Sequence, residues 1–264
     1  MTYMARQRRW HRFLDTRSGK ALIVPIDHGL TLGPIAGIAS PQGILDWLAP
    51  EALTGVILHK GMAERLGGLP GCGLMLHLNG SMSIDATPDL KVMLTSVDAA
   101  VRLGADAVSI QVNFNRDCAS HNLRMLGRVV DDAHLLGLPV LAMVYDKLDI
   151  AGPNPVTLRH FMRAAVELGV DALKILPPAD LETMPDLIDG VQEHTPVLFA
   201  GGPLAGDGAL LQLARAVVAS GAAGLCVGRN LFQRADPRAA MADLLACLRE
   251  APDAPASQPR WAAR

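Results

Sequence analysis

One lysine of this sequence lies where its amine can act as a nucleophile. Only five of the 264 residues are lysine, and Lys174 alone among them lies inside an apolar run, between Leu173 and Ile175. Burial disfavours a charged amine and lowers its pKa from about 10.4, which leaves more neutral amine to attack a carbonyl group. This chemistry is that of a Schiff-base nucleophile. The alternative is a lysine that pairs with a carboxylate or extends its amine into solvent.

Other polar side chains follow apolar runs, as proton-transfer or binding groups would. Tyr145, one of only two tyrosines, ends such a run, and its phenol either exchanges protons with a substrate oxygen or caps the core. Asp27 ends an earlier run and either accepts a proton during the reaction or pairs with a neighbouring lysine. Lys60 lies in His59–Gly61, a segment predicted as a loop. It is the rival nucleophile, or else a substrate-binding or structural residue.

Two glycine-containing segments in the last third of the chain are typical of a phosphate site. The first contains Gly201 and Gly202, and the second contains Gly228 and Arg229. Backbone N–H groups approach an anion closely where no Cβ intervenes, and an arginine adds positive charge. We expect these residues to bind a substrate phosphate, with His28 as a further substrate contact. The alternative is that the glycines serve tight turns needed for packing.

Three histidines near the ends of apolar runs, His28, His59 and His77, raise the question of a metal site. No cluster of carboxylates lies near them in the sequence, so hydrogen-bonding roles are favoured over metal binding. The sequence also lacks the G-x-G-x-x-G, Walker, H-E-x-x-H and G-x-S-x-G patterns. We therefore expect no metal and no bound cofactor.

These side chains need a scaffold that brings the ends of several apolar runs together. Eight runs without strict alternation are predicted as strands buried on both faces of a parallel sheet: Ala21–Ile26, Thr54–Leu58, Gly73–Leu78, Asp106–Val112, Pro139–Tyr145, Asp171–Ile175, Pro196–Ala200 and Ala223–Val227. The predicted helices are Gln42–Ala49, Ala63–Leu66, Leu94–Leu103, His121–Leu136, Pro155–Leu168, Leu181–His194, Asp207–Ser220 and Pro237–Glu250. Glycines follow four of them, as C-terminal caps do: Gly104, Gly137, Gly169 and Gly221.

The alternation of strand and helix predicts an α/β protein with a single (β/α)8 TIM barrel, and a doubly wound open sheet is the alternative. In such a barrel the active site lies at the C-terminal ends of the strands, where the candidate residues fall. We expect residues 1–250 to form the barrel, including a basic helical lead-in over 1–20, followed by a Pro/Ala-rich tail over 251–264. The arginines of the lead-in form a solvated face, plug the bottom of the barrel or join a subunit interface.

Composition and charge argue against several classes of protein. Half of the residues are hydrophobic, 19% are charged and the mean hydropathy is +0.25, so the chain has an ample core and is not intrinsically disordered. The net charge of −2 argues against nucleic acid or an anionic membrane as a partner. No segment predicts a membrane span or a signal peptide, and the four cysteines show no disulfide or zinc spacing. We expect a soluble, cytoplasmic protein.

Several motifs occur in an order that resembles one known family. They are Asp27-His28-Gly29, Gly33-Pro34, His59-Lys60-Gly61, Tyr145, Lys174, Ala200-Gly201-Gly202-Pro203 and Gly228-Arg229-Asn230-Leu231-Phe232-Gln233. In these motifs, and from residue 6 to about residue 248, the sequence resembles the archaeal-type class I fructose-bisphosphate aldolases, which are DeoC/LacD-like aldolases. Its Asp-His-Gly loop is more similar to the branch of 2-amino-3,7-dideoxy-D-threo-hept-6-ulosonate synthase and the autoinducer-2-phosphate thiolase than to the Asp-Gln-Gly of true fructose-bisphosphate aldolases.

The resemblance implies a role for each matching position. It implies that Lys174 forms the Schiff base, that Tyr145 is the general acid and base, and that Asp27 assists the C–C step. It implies that the glycines and the arginine of the two late segments hold the phosphate of a small-molecule substrate. It also implies that no metal is needed and that the protein is a homo-oligomer, commonly a decamer in this family.

The sequence departs from the family pattern beside two of these positions. Tyr145 is followed by Asp146-Lys147-Leu148 instead of Pro-Arg-Gly, and Lys174 is followed by apolar residues and prolines instead of hydroxyl-bearing ones. We expect an aldolase or transaldolase of a phosphorylated ketose or dihydroxyacetone phosphate, with aspartate semialdehyde as the acceptor that the resemblance favours. The alternatives are a fructose-bisphosphate aldolase, a coenzyme A-dependent thiolase of a phosphorylated diketone, and a sugar-phosphate-binding barrel without turnover.

Overall fold

The computed structural model describes residues 2–66, 71–148 and 154–250. Eight parallel strands close into a barrel: β1 (Ala21–Pro25), β2 (Gly55–Leu58), β3 (Gly73–His77), β4 (Ala107–Phe114), β5 (Val140–Asp146), β6 (Ala172–Ile175), β7 (Val197–Ala200) and β8 (Gly224–Cys226). Each strand pairs with the next one along the chain, and β8 closes the ring by pairing with β1. The predicted (β/α)8 barrel is confirmed, and the alternative of an open sheet is wrong.

Helices surround the barrel and connect its strands. They are α1 (Thr2–Trp10), α2 (His28–Leu32), α3 (Pro41–Trp47), α4 (Lys60–Leu66), α5 (Val97–Arg102), α6 (Ala119–Leu135), α7 (Pro155–Glu167), α8 (Met184–Ile188), α9 (Asp207–Ala219), α10 (Arg229–Phe232) and α11 (Pro237–Leu248). Short 3-10 helices span His11–Phe13, Pro50–Ala52 and Leu181–Thr183. A two-stranded antiparallel hairpin, Asn79–Gly80 with Val92–Met93, lies in the loop after β3. No helix in the described ranges is long and apolar enough to span a bilayer.

Three helices begin with a capping side chain followed by a proline. The pairs are Ser40-Pro41 before α3, Asn154-Pro155 before α7 and Asp236-Pro237 before α11. In each pair the side-chain oxygen accepts a backbone N–H of the first turn, and the proline at the first position needs no hydrogen bond of its own. The sequence therefore sets where these helices start and how the loops before them end.

Alternate side chains of each strand point into the barrel. On β6, Ala172 packs in the interior cluster, whereas Leu173 and Ile175 pack with the residues that face the helices. Because strand side chains alternate with a period of two, Lys174 points into the interior, like Ala172. Tyr145 of β5 also packs against the interior cluster. The barrel thus carries both candidate side chains on its inner surface.

The lead-in closes the bottom of the barrel with an aromatic ring. Phe13 is completely buried and belongs to the interior cluster together with Trp10. A Cβ atom on Gly55 or Gly73, at the starts of β2 and β3, would come closer to the Phe13 ring than van der Waals contact allows. Glycine at both positions is therefore what makes room for the ring.

Two arginines of the lead-in attach it to the strands. Arg6 of α1 pairs with Asp171, just before β6, and Arg12 pairs with Asp106, just before β4. Arg6 is mostly buried, whereas Arg12 is mostly exposed. Of the roles left open for these arginines, a solvated face is seen at the exposed Arg8 and Arg12, whereas the bottom of the barrel is plugged by Phe13.

Two predicted boundaries were wrong because the hydrogen bonds that set them were not visible in the sequence. Lys60 opens α4 instead of lying in a loop, since N–H groups of the following turn donate to the His59 carbonyl. Strand β4 continues to Phe114, two residues past the predicted end at Val112, and pairs with β5 throughout that length.

Two predicted helices are shorter than expected. The segment Leu181–His194 forms a 3-10 turn and α8, which ends at Ile188 because Gly190 turns the chain with a φ of 77°. The segment Leu94–Leu103 becomes helical only at Val97, because the Ser96 side chain caps the helix there. The tail over 251–264 lies outside the described residues.

The Phe13 ring yields a prediction about stability. Replacing Phe13 by Ala leaves a cavity at the barrel bottom and should lower the free energy of unfolding by about 3–5 kcal/mol. Met4→Ala, an exposed change on α1, should alter it by less than about 0.5 kcal/mol. Urea unfolding followed by circular dichroism measures both, and equal effects of the two substitutions would contradict the role of Phe13.

Candidate active site

The amine of Lys174 lies inside the barrel beside sulfur-containing side chains. Lys174 is only 5% exposed. Its Nζ lies 3.9 Å from the Sδ of Met143, and the Cys226 side chain is close enough to interact with it. Sulfur atoms are weak acceptors, so they satisfy an ammonium group poorly. The alternative of an amine that extends into solvent is wrong.

The pKa of Lys174 differs in direction from the prediction. Burial by itself lowers it, as expected, but negative charge on the ionised forms of Cys226, Tyr145 and Asp27 outweighs burial, and the pKa is raised. The expectation of a lowered pKa is therefore wrong. Burial raises the pKa of the Cys226 thiol to about 11, so this thiol is neutral near pH 7. Asp27 is the neighbouring group that carries a negative charge at that pH. The raised pKa favours the ammonium form of Lys174 when no substrate is bound.

Asp27 supplies the charge that compensates this buried ammonium. It occupies the capping position before α2, but its carboxylate makes no capping hydrogen bond. Instead, Oδ1 lies 3.4 Å from Nδ1 of His28, and Oδ2 lies 3.8 Å from Nε2 of His77. Burial raises the pKa of Asp27, but the interaction with the protonated forms of His77 and His28 and with the Lys174 ammonium outweighs burial and lowers it to about 2. Asp27 is thus a carboxylate throughout the neutral range.

His77 holds the other side of Asp27 as a neutral imidazole. It ends β3 and is almost completely buried, and its Nδ1 lies 2.9 Å from the Ser109 hydroxyl on β4. The His59 ring stands edge-on to it, with 5.3 Å between ring centres. Burial lowers the pKa of His77 to about 3, so the ring carries no charge at neutral pH. No group of three metal-binding side chains occurs among the residues that the structure describes.

A cavity of about 490 Å³ lies at the C-terminal ends of the strands, with Lys174 among its lining residues. Among the predicted site residues, its lining contains Asp27, His28, Tyr145, Lys174 and Arg229. The structure therefore brings the nucleophile candidate, the proton-transfer candidates and the arginine to one site, in the position that a barrel enzyme uses.

Arg229 and Gly228 lie next to His28 at one edge of this cavity. The Nε atom of Arg229 is buried and has no hydrogen-bond partner within the described ranges. A Cβ on Gly228 would lie 2.6 Å from Cε1 of His28, so glycine is required for the imidazole to sit there. The Phe232 ring stands edge-on to the same imidazole, 5.5 Å away. An unpartnered guanidinium N–H at a cavity edge suits an anionic ligand group.

Gly201 and Gly202 lie after β7 and do not belong to the cavity lining. Asn230 joins their loop to the loop after β8, because its Nδ2 donates to the Gly201 carbonyl at 2.9 Å. A Cβ on Gly201 would clash with Val227, and Gly202 has a φ of 68°. Both glycines thus have packing or backbone reasons of their own, which was the alternative to phosphate binding.

Lys60 does not join the site. Its side chain is exposed, its Nζ donates to the Leu94 carbonyl at 2.8 Å, and it is not part of the cavity lining. Its amine is occupied by a backbone carbonyl at the surface. This placement argues against Lys60 as the nucleophile.

Several polar residues of the cavity were missed at the sequence level. They are Thr31, Asn79, Ser81, Ser83, Asp89, Lys91, Gln111 and Lys147. Most lie in the long loop after β3, where polar residues are expected in any surface loop. The scarcity of lysine was a usable signal for Lys91 and Lys147, because three of only five lysines reach this cavity.

Comparison with protein families and curated proteins gives consistent matches. Residues 21–234 match the family described as DeoC/LacD family aldolase. The chain is 34% identical to the 2-amino-3,7-dideoxy-D-threo-hept-6-ulosonate synthase of Halobacterium salinarum, over 91% of each chain. It is 31% identical to the 2-amino-4,5-dihydroxy-6-oxo-7-(phosphonooxy)heptanoate synthase of Streptomyces griseus, over 92% of this chain and 90% of that one.

The fold is similar to that of a solved enzyme of the same kind. The Schiff-base-forming fructose-1,6-bisphosphate aldolase, analysed structurally through its reaction intermediates, superposes with a TM-score of 0.83. It is 30% identical, and the match covers 92% of this chain and 99% of the other.

The buried imidazole of His77 yields a prediction about acid stability. The unfolded chain protonates this ring near pH 6.5, whereas the folded protein does so only near pH 3. Because the unfolded state binds more protons between these values, the free energy of unfolding falls as the pH is lowered, by up to about 1.4 kcal/mol per pH unit from this residue. His77→Gln should reduce that slope between about pH 6 and pH 4. Urea unfolding at a series of pH values measures it.

His11→Gln is the matched control, since His11 is exposed in the 3-10 turn of the lead-in. In this variant the free energy of unfolding should depend on pH as it does in the unaltered protein. An unchanged slope in His77→Gln would show that His77 is not held neutral.

Proposed function

The chain belongs to the DeoC/LacD family of aldolases, and on that premise we propose that Lys174 is the residue that forms its Schiff base. The protein is a class I aldolase, an enzyme that works through a lysine imine. The observation that supports Lys174 is its amine, which projects from a strand into the barrel beneath the cavity that Asp27 and Tyr145 also line. The other cavity lysines, Lys91 and Lys147, lie in loops after the strands.

The first step moves a proton away from Lys174. The ammonium passes a proton to Asp27 through a water molecule of the cavity, and the neutral Nζ then attacks the carbonyl carbon. The electron pair of the C=O bond moves to oxygen, which takes a proton from the Tyr145 hydroxyl. Loss of that oxygen as water leaves a protonated imine between Lys174 and the substrate.

The protonated imine allows a C–C bond to form or break beside it. The Tyr145 phenolate left by the previous step takes a proton from the neighbouring carbon, which gives an enamine, and the enamine carbon attacks the aldehyde carbon of the acceptor. The aldehyde oxygen takes the proton held by Asp27, and water then hydrolyses the imine, which releases the product and leaves Lys174 as an ammonium. In the reverse direction, Asp27 takes the hydroxyl proton as the C–C bond breaks and its electron pair moves into the imine.

The phosphate of the substrate binds at the edge of the cavity formed by the loop after β8. Arg229 supports this assignment, because its guanidinium faces the cavity with a buried Nε that lacks a partner in the described ranges. A bound phosphate would accept this N–H and the backbone N–H groups around Gly228. His28 adds a further contact from the same edge.

The named relatives point to the two substrates. A 2-amino-4,5-dihydroxy-6-oxo-7-(phosphonooxy)heptanoate carries its ketone at C6, so its aldol bond joins C4 to C5. Breaking that bond gives dihydroxyacetone phosphate and aspartate 4-semialdehyde. We propose that this chain joins the same two compounds, or closely related ones, through an imine on Lys174.

Cleavage of fructose 1,6-bisphosphate is the second candidate function. The likeness to the Schiff-base-forming fructose-1,6-bisphosphate aldolase favours it, as do the two loop lysines, which would suit a second phosphate. Both candidates share the same imine with dihydroxyacetone phosphate and differ only in the aldehyde. Rates with aspartate 4-semialdehyde and with glyceraldehyde 3-phosphate therefore separate them.

We also propose that the protein works in the cytoplasm as a homo-oligomer. Three of its cysteines, Cys118, Cys226 and Cys247, are buried thiols, as in a reducing compartment. Apolar side chains on the hairpin, among them Val92 and Met93, are about half exposed, which suits a surface that pairs with another copy. Sedimentation velocity measures the oligomeric state.

The imine can be trapped. Incubation with dihydroxyacetone phosphate and sodium borohydride, without an acceptor, should reduce the imine to a stable secondary amine on Lys174, located by peptide mapping. Lys174→Arg should give no adduct and lose aldol activity by a factor of about 10³ or more, because the guanidinium is not nucleophilic near neutral pH.

Lys20→Arg is the control for this experiment. Lys20 lies at the bottom of the barrel, where its Nζ donates to the Ala222 carbonyl, so this variant should be trapped like the unaltered protein. An adduct on Lys60, Lys91 or Lys147, or no adduct on any lysine, would contradict the proposal.

The phosphate assignment has its own test. Arg229→Met removes charge-assisted hydrogen bonds and should lower kcat/KM for dihydroxyacetone phosphate about 10- to 100-fold, with little change for dihydroxyacetone. Arg163→Met, on the exposed face of α7, should change neither value. Equal losses with both donors in Arg229→Met would contradict phosphate binding by this residue.

A further inference from the structure

The long loop after β3 forms one wall of the cavity. This loop covers residues 78–96 and is tied to β4 through Asn79. The Asn79 side chain donates to the backbone carbonyl of Gln111 and accepts from the backbone N–H of Gln111, both at 2.8 Å. Loops of this length in a compact domain are usually functional. The wall carries two charged side chains that the imine chemistry does not use, Asp89 and Lys91.

Lys91 is a buried cation that faces the cavity. It is 5% exposed, and its Nζ donates to the Ser81 hydroxyl at 2.7 Å. The Ser81 hydroxyl in turn donates to the Pro88 carbonyl at 2.6 Å, so it is oriented to accept from Lys91. Among the described residues no carboxylate lies within salt-bridge distance of Lys91. A buried ammonium bonded to a neutral hydroxyl is stabilised further by an anionic ligand.

Asp89 is a carboxylate fixed beside it. Its Oδ1 accepts a hydrogen bond of 2.9 Å from Nδ2 of Asn113 on β4, and its backbone carbonyl accepts one of 3.2 Å from Asn122 on α6. Asp89 and Lys91 are close enough for their charges to interact, yet they form no direct salt bridge with each other. Each charge is thus held by a neutral partner and faces the cavity.

Lys147 adds a second cation to the same region. It follows β5, its backbone N–H donates to the Phe114 carbonyl at the end of β4, and its side chain lines the cavity. Its charge also acts on Lys91. The sequence has a lysine here at the position where the family pattern has an arginine after Tyr145.

We propose that Lys91, Lys147 and Asp89 form a subsite for the α-amino acid end of the acceptor aldehyde. The carboxylate of the acceptor binds between the two ammonium groups, and its ammonium group binds the Asp89 carboxylate. This inference rests on the proposed function, in which Lys174 holds the phosphorylated ketone as an imine.

The position of the subsite suits this arrangement. In the closed ring of eight strands, β4, which anchors Asp89 through Asn113, lies opposite β8, which carries the loop of Arg229. A substrate whose phosphate binds Arg229 and whose imine carbon lies at Lys174 therefore extends its far end towards Asp89 and Lys91. The two ends of the product then lie at opposite edges of the cavity.

Asp89 is the residue that selects an amino acid over a phosphate. Two lysines alone would bind either a carboxylate or a phosphate, and both are anions. A carboxylate beside them repels the doubly charged phosphate of glyceraldehyde 3-phosphate but attracts the ammonium of aspartate 4-semialdehyde. The mixed charge of the subsite thus fits a zwitterion.

The test compares acceptors while the imine is monitored separately. Each variant is assayed with dihydroxyacetone phosphate and three aldehydes: aspartate 4-semialdehyde, glyceraldehyde 3-phosphate and uncharged propanal. Lys91→Met should lower kcat/KM for aspartate 4-semialdehyde at least about tenfold, mainly through KM, and leave propanal unchanged. Lys91→Arg, which keeps the charge, should retain more of the activity. Borohydride trapping with the donor alone should be the same in all of them.

Asp89→Asn, which keeps an oxygen for Asn113, should lower kcat/KM for aspartate 4-semialdehyde and raise it for glyceraldehyde 3-phosphate. Lys20→Met, the matched lysine change at the barrel bottom, should alter no acceptor. Two results would overturn the subsite and leave the proposed function intact. In variants that are trapped normally, these are equal losses for all three aldehydes or no loss for any of them. Absence of trapping in the unaltered protein would overturn the proposed function, and the subsite with it.

Discussion

The buried charge of Lys174 and the Asp27 carboxylate that compensates it determine how the rest of the site is built. An ammonium inside a barrel costs free energy unless a negative charge is near. Asp27 lies two residues after β1 and does not cap its helix, and its oxygens lie near His28 and His77. His77, in turn, is held by the Ser109 hydroxyl. These contacts hold the carboxylate at one edge of the cavity that Lys174 also lines.

The bottom of the barrel stabilises the fold, and the top carries the groups that react. At the bottom, Phe13 fills the space that Gly55 and Gly73 leave, and ion pairs attach the lead-in to the strands. At the top, the inward positions become polar, from Ser109 through Gln111 to Asn113 along β4. A rigid apolar base therefore supports a polar cavity whose loops carry charge at opposite edges.

Much of this arrangement could be predicted because it depends on local patterns. Eight apolar runs and the helices between them indicate the barrel, and the glycines expected to end four helices all take positive φ: Gly104, Gly137, Gly169 and Gly221. The period of two then directs Lys174 inward. The direction of its pKa shift, the position of Lys60 and the cavity wall of Asp89 and Lys91 depend on contacts between residues far apart in the sequence. No local pattern contains those contacts.

A crystal structure of the protein soaked with dihydroxyacetone phosphate alone tests the central claim most directly. The account predicts continuous electron density between Nζ of Lys174 and the carbonyl carbon, with the phosphate against Arg229 and the Asp27 carboxylate beside the new bond. A ketone bound in the cavity without a bond to Lys174, or joined to a different lysine, would contradict it.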